Sequence, residues 1–232
     1  MGSAAASTAG SISVVGGPPA RRIALTFDVE HPDRPGSRPR ATEQLLDLLG
    51  RSGVRATFFV QGRWAEAYPA PARRIAEEGH VVGSHSHYHA RLSLLTDEGL
   101  AADVADAQSA VRDATGWDPR PWFRCPFGDG IDDARVLGAI RRHGYVHVGW
   151  DVDPEDWDPG RTAAQVAAAI RGPVSSRAVS VVLLHAWAPT TLTAVASTLR
   201  VFGRQGADFV TIDELAAGQR PTGMSVESPE PA

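Results

Sequence analysis

Short apolar runs alternate with longer amphipathic stretches through most of the chain. Residues 23–28, 56–61, 80–84, 122–124, 146–150, 179–184 and 208–211 read as strands. Their near-continuous apolar character points to strands covered on both faces, as in a parallel sheet. The segments between them mostly carry helical spacing. Thr42 is placed to cap a helix bearing Leu45, Leu46, Leu48 and Leu49, with Gly53 ending it. Thr96 opens a longer helix with Leu100, Val104, Ala107 and Val111 on one side, and Asp132 or Asp133 starts another that stops at Gly144. Residues 163–171 and 193–205 complete the series. Seven strands alternating with helices predict an α/β fold, and the count favours a barrel of βα units over an open sheet. No repeat period or internal linker interrupts the pattern, so 21–217 reads as one domain. It lies between tails at 1–20 and 218–232 whose Ser, Ala, Gly and Pro content predicts disorder.

Composition narrows the chemistry. Apolar residues make up 43% of 232, enough for one continuous core. The formal charge of −4, with both signs interspersed, gives no electrostatic case for nucleic acid or an anionic membrane surface. All 23 basic residues are arginine, which excludes a Schiff-base lysine and a Walker A loop. Asparagine is also missing, which excludes N-glycosylation. The single Cys125 excludes an internal disulfide and a cysteine-built zinc site. No run reaches signal-peptide or transmembrane length, so the chain as written reads as cytoplasmic, or as exported if a leader has been removed. Nothing in the sequence sets an oligomeric state.

The polar residues just past each strand carry the functional signal. Asp28, Glu30 and His31 follow the first strand, His85, His87 and His89 the third, and Arg124 the fourth. Asp151, Asp153, Asp156 and Trp157 follow the fifth, and His185 the sixth. In a βα barrel these positions converge on the C-terminal mouth. His85 and His89, four apart, meet one metal if the segment turns helically, and a carboxylate beside them completes a hydrolytic centre with an open position. Trp157 and Trp187 flank this rim and are placed to stack on a substrate ring. His87, His80, His143, His147 and Cys125 read as structural or loop residues.

Five segments in order resemble the polysaccharide deacetylase family (carbohydrate esterase family four), with the likeness running from about Arg22 to Ala216. Thr26-Phe27-Asp28-Val29-Glu30 is similar to its T-F-D-D-G motif, and His85-Ser86-His87-Tyr88-His89 to H-[ST]-x-x-H. Arg124-Cys125-Pro126-Phe127-Gly128 matches R-x-P-[YF]-G, Asp153-Pro154-Glu155-Asp156-Trp157 matches D-x-x-D-W, and Leu183-Leu184-His185 matches L-x-H. The resemblance implies a distorted barrel of seven or eight βα units that removes an N-acetyl group from an N-acetylated sugar or a small N-acyl molecule. One divalent metal, Zn2+ first and Co2+, Ni2+ or Mn2+ after it, would polarise the carbonyl and activate water. In this chain the implied base is Asp28, held by Arg124, and the implied acid is His185, tuned by Asp156. The Phe127 amide would face the oxyanion and Leu183 the acyl methyl. Val29 replaces the usual second Asp and Glu30 the usual Gly. Residues two apart on a strand share a face, so Glu30 joins His85 and His89 as the expected metal ligands, with Asp28 or His31 as alternatives to it. Ala186 stands where the family often has Asp. The altered first motif leaves two other readings open. One is a metal-independent hydrolase of cyclic amides or ureides, and the other is an inactive carbohydrate-binding relative.

Overall fold

The structure is a computed structural model that describes residues 20–33 and 40–218. Strand β1 (Arg22–Val29) is an interior strand of a parallel sheet, and its alternation separates the outer apolar layer from the inside. Ile23, Leu25, Phe27 and Val29 point outward into the main apolar layer against the helices. Ala24, Thr26, Asp28 and, just past the strand, Glu30 are the alternate positions and face the inside.

Helix α1 (Ala41–Arg51) buries Leu45, Leu46 and Leu49 against that outer layer, at roughly 1.5–3 kcal/mol for each side chain removed from water. Strand β2 (Thr57–Val60), helices α2 (Gly62–Ala67) and α3 (Pro69–Glu77) and strand β3 (Val81–Ser84) follow. Helix α4 (Asp97–Thr115) comes next, then β4 (Trp122–Phe123), α5 (Ala134–Arg142) and β5 (Val146–His147). Helix α6 (Ala163–Ser175), β6 (Val179–His185), α7 (Thr191–Arg204), β7 (Asp208–Phe209) and α8 (Ile212–Gly218) complete the chain.

The strand order is β5-β4-β3-β2-β1-β6, with β7 pairing the start of β1, and every pairing is parallel. The sheet curls until its two edges approach. Beyond β5, Val152 bridges Val182 of β6, and the Leu183 amide donates to the Val152 carbonyl at 2.9 Å. The result is the distorted, single-domain parallel barrel that the strand count predicts. Inside it, Ala24, Trp122, Val148, Val181 and Val210 pack on Ile212 and Leu215, so α8 plugs the end where the strands begin. The opposite end, where the strands finish, is left for polar groups.

Several local expectations change. Strands β4, β5 and β7 each pair over two residues, because the curled sheet keeps neighbours in register only briefly. Helix α1 starts at Ala41 after Arg40 in a left-handed conformation, so Thr42 lies in the first turn and does not cap it. Thr96 caps α4 by accepting the Gly99 amide, and Asp133, not Asp132, caps α5 through the Arg135 amide. Helix α6 runs past the expected end at 171 to Ser175, and α7 starts at Thr191 rather than 193. The tails lie outside the described residues except Ala20 and Gly218, and Gly218 is the last residue of α8.

Candidate active site

The strand ends bring together a pocket of about 370 Å³. Its lining includes Asp28, Glu30, His31, His85, His89, Phe127, Trp157, Leu183, His185 and Trp187. The expected base, acid, metal ligands and substrate contacts all line it, and Arg124 and Asp156 lie fully buried behind Asp28 and His185, whereas Asp151 instead accepts the Val181 amide.

Arg124 donates from all three guanidinium nitrogens to protein acceptors. Nη1 donates to Asp28 Oδ1 at 2.9 Å, Nε to the Val148 carbonyl and Nη2 to the Gly149 carbonyl, each at 3.2 Å. The plane lies 4.1 Å from the Phe59 ring, and Phe59 has room because residue 83 is glycine. A Cβ there would come within 2.8 Å of that ring. Asp28 thus has one oxygen clamped, while Oδ2 faces His85 Nε2 at 3.5 Å.

His185 is held from behind by one carboxylate. Asp156 Oδ1 accepts from Nδ1 and Oδ2 accepts the His185 amide, both at 2.8 Å, while the Thr191 hydroxyl donates to Oδ2. This arrangement leaves Nε2 as the nitrogen available to the pocket. Burial alone would depress the imidazolium, but the hydrogen bond and charge of Asp156, with Asp28 and Glu30, outweigh it and raise His185 to about 9.

Glu30 is buried at the centre of a ring of donors. His85 Nε2 lies 3.1 Å from Oε2, His89 Nε2 touches the same oxygen, and His31 Nε2 is 3.3 Å from Oε1. The Trp187 indole N–H donates to Oε1 at 3.0 Å. Burial pushes the Glu30 carboxyl up, but the bonds from His31, His85 and His89 prevail and hold it well below the usual carboxylate range. His85 Nδ1 faces the Arg124 carbonyl at 2.9 Å, an oxygen that only accepts, so Nδ1 carries the proton. Its Nε2 is then the nitrogen turned to the Glu30 and Asp28 carboxylates, and a neutral imidazole held this way would offer that nitrogen to a cation between them. The donor set therefore fits a divalent metal.

Two placements differ from expectation. Residues 85–89 do not turn helically. Ser86 and His89 take left-handed φ values of 62° and 57°, and this irregular turn brings the His85 and His89 rings to 4.9 Å. The compact group of ligand atoms, all within 4.8 Å of one another, is Glu30, His31 and His89. His85 meets Glu30 from beside that group, so His31 joins the cluster and His85 is its outlying member. Trp187 is almost buried, and its N–H is engaged by Glu30, so it positions that carboxylate as well as walling the pocket. Trp157 is 45% exposed at the rim, and Phe127 is exposed, with its ring edge-on to His89.

Sequence reasoning missed Asp103. From α4 its carboxylate accepts the His87 and Tyr88 amides, both at 3.0 Å, and Ser86 Oγ accepts the His89 amide at 2.9 Å. Together they fix the histidine turn. A lone acid on the buried side of α4 was the only signal, and it needs the fold to be read. The His87 ring turns away towards α2, where a Cβ on Gly62 would lie 2.3 Å from its Nδ1. Burial raises the Cys125 thiol to about 12, which makes it inert as a nucleophile. Burial also lowers His80 and His147 to about 4, consistent with neutral structural roles.

Residues 16–148 match the polysaccharide deacetylase family. The chain is 36% identical over 195 residues to the peptidoglycan-N-acetylglucosamine deacetylase PgdA of Listeria monocytogenes, covering 84% of this chain and only 39% of that one. It is 33% identical over 198 residues to a peptidoglycan-N-acetylglucosamine deacetylase of Bacillus cereus, covering 83% and 87% of the two. Among solved structures, the family 4 carbohydrate esterase from Streptomyces lividans in complex with acetate aligns with a TM-score of 0.71. Its identity is 26%, with 82% of this chain and 91% of that chain covered.

Proposed function

The chain belongs to the polysaccharide deacetylase family, and from that premise we propose that it hydrolyses the N-acetyl amide of N-acetylglucosamine units in a glycan. The observation that carries this reading is a proton acceptor and a proton donor, Asp28 and His185, set around one histidine-ringed carboxylate in a single pocket. The relatives named as peptidoglycan deacetylases supply the substrate class.

An amide resists water because its carbonyl is weakly electrophilic and its nitrogen leaves poorly as an anion. A divalent ion held by Glu30, His85 and His89 would polarise the carbonyl and make water more acidic. Asp28 Oδ2, free of the Arg124 clamp, takes the proton as the water oxygen bonds to the acyl carbon. Arg124 keeps the carboxylate turned towards the pocket, a task its rigid fork suits better than an ammonium. His185 Nε2 then gives its proton to the sugar nitrogen as the carbon–nitrogen bond breaks. Acetic acid and a free amine result. Asp156 holds the imidazolium ready and fixes its orientation. Leu183 walls the space for the acetyl methyl, the Phe127 amide faces the oxyanion, and Trp157 lies beside the sugar ring.

The test is acetate release by the purified protein from N-acetylglucosamine oligomers, from the monosaccharide and from peptidoglycan, with and without prior chelation and zinc addition. Release from oligomers that chelation abolishes and zinc restores supports the proposal. Release that chelation leaves untouched removes the metal from it. No release from any N-acetyl sugar by a folded, zinc-loaded protein overturns it.

A further inference from the structure

Glu30 meets a third imidazole that the proposed chemistry does not use. His31 Nε2 lies 3.3 Å from Glu30 Oε1, while His85 and His89 face Oε2. The His31 ring packs edge-on to His89 with centroids 4.6 Å apart. One donor atom each from Glu30, His31 and His89 fall within 4.8 Å of one another, a spacing that one ion can span.

We infer that His31 is a metal ligand, so that the centre is built from three imidazoles and one carboxylate. This inference rests on the reading of the Glu30 cluster as a metal centre. The backbone gives it independent support. His31 follows β1 with φ at 57°, in the left-handed region that disfavours residues other than glycine. Buried Gln61 holds it there. Its side-chain oxygen accepts the His31 amide at 2.9 Å, and its backbone N–H donates to the Val29 carbonyl at 2.9 Å, locking the turn to the end of β1. A turn alone would be easiest with glycine. Here a histidine is kept in a strained position, and its ring is directed back over Glu30. The side chain remains 30% exposed, so apolar burial does not account for where it points.

The chemical consequence is selectivity. A third imidazole shifts the site towards zinc, nickel and copper and away from magnesium and manganese, which prefer oxygen donors. Zinc expands to five ligands, so substrate still has a position beside four protein donors.

X-ray absorption at the zinc edge, on full-length protein loaded with one equivalent, counts the imidazoles directly. The parent is expected to show three and His31→Asn two, with zinc Kd weakened about 10-fold or more in competition with a chromophoric chelator. Asparagine tolerates positive φ, and His31→Gly, which removes the strain, is the second variant should the first not fold. A count and a Kd that both substitutions leave unchanged overturn the assignment of His31 while the metal centre stands. A folded parent that takes up no zinc overturns the centre itself, and His31's role with it.

Discussion

Replacing Asp156 by Asn removes one charge from a fully buried position and keeps the shape. In the parent, His185 is raised from its ordinary value near 6.5 to about 9. At about 1.4 kcal/mol per unit, the protonated imidazole is favoured by roughly 3 kcal/mol in the folded state. Burial pulls in the other direction and is the largest single influence, so most of this comes from the Asp156 hydrogen bond and charge. With Asn, an amide oxygen at the Oδ2 position can still accept the His185 backbone amide and the Thr191 hydroxyl, but an NH2 group then faces His185 Nδ1, so the imidazolium loses its charged partner and its acceptor. Burial then dominates, and His185 should titrate below its ordinary value. Because the folded value is the higher one, the linked stability is fully present below about pH 6.5 and is lost as pH rises through about 9. At pH 7.5 it amounts to ~2 kcal/mol. NMR of histidine-labelled, metal-depleted protein reads the titration, and urea unfolding at pH 6 and 9.5 reads the stability. The Asp156→Asn protein should lose this pH dependence, and its amide-hydrolysis rate should fall off at lower pH than the parent's. A His185 titration that stays near 9 in Asp156→Asn would show that Asp156 does not set the protonation of His185.

Other substitutions test separate parts of the site. Arg124→Met leaves Asp28 buried without its cation and should destabilise the fold by about 3–5 kcal/mol in urea unfolding. Trp187→Phe removes the indole donor from Glu30 and should weaken zinc binding ~10-fold or more by titration calorimetry while the circular dichroism stays unchanged. Asp103→Ala leaves the His87 and Tyr88 amides without their acceptor and should cost about 1–3 kcal/mol for each group that stays buried and unpaired, with zinc affinity falling as the turn loosens. Cys125, held as a thiol by burial, should resist iodoacetamide at pH 8 in the folded protein and react on unfolding.

The barrel was legible because strands covered on both faces carry few polar residues until they reach the mouth. There Asp28, Glu30, His85, Arg124 and His185 appear as abrupt polar stops. The alternation of β1 also foretold that Asp28 and Glu30 would share a face, with Val29 turned into the outer layer. What local pattern could not supply was backbone direction beyond the strands. The left-handed residues Ser86, His89 and His31 defy the rule that such positions belong to glycine. Gln61 accepts the His31 amide, the Gly62 amide donates to the Ser86 carbonyl, and Asp103 holds the His87 and Tyr88 amides between Ser86 and His89. From its place at the rim Trp187 reads as a stacking platform, yet its indole nitrogen is turned onto Glu30 across 157 residues of sequence. The short pairings of β4, β5 and β7 follow from the curl of the sheet, which no run of apolar residues encodes.

The central claim is hydrolysis of a sugar N-acetyl group by water, with Asp28 as the base. The most direct measurement is mass spectrometry of the products formed from N-acetylglucosamine oligomers in ¹⁸O-labelled water by the zinc-loaded protein. The expected products are acetate carrying one solvent oxygen and an oligomer that keeps its nitrogen as a free amine. Asp28→Asn, still folded and zinc-bound, should form neither. Intact oligomers after prolonged incubation with the parent protein, or equal product from Asp28→Asn, would contradict that claim.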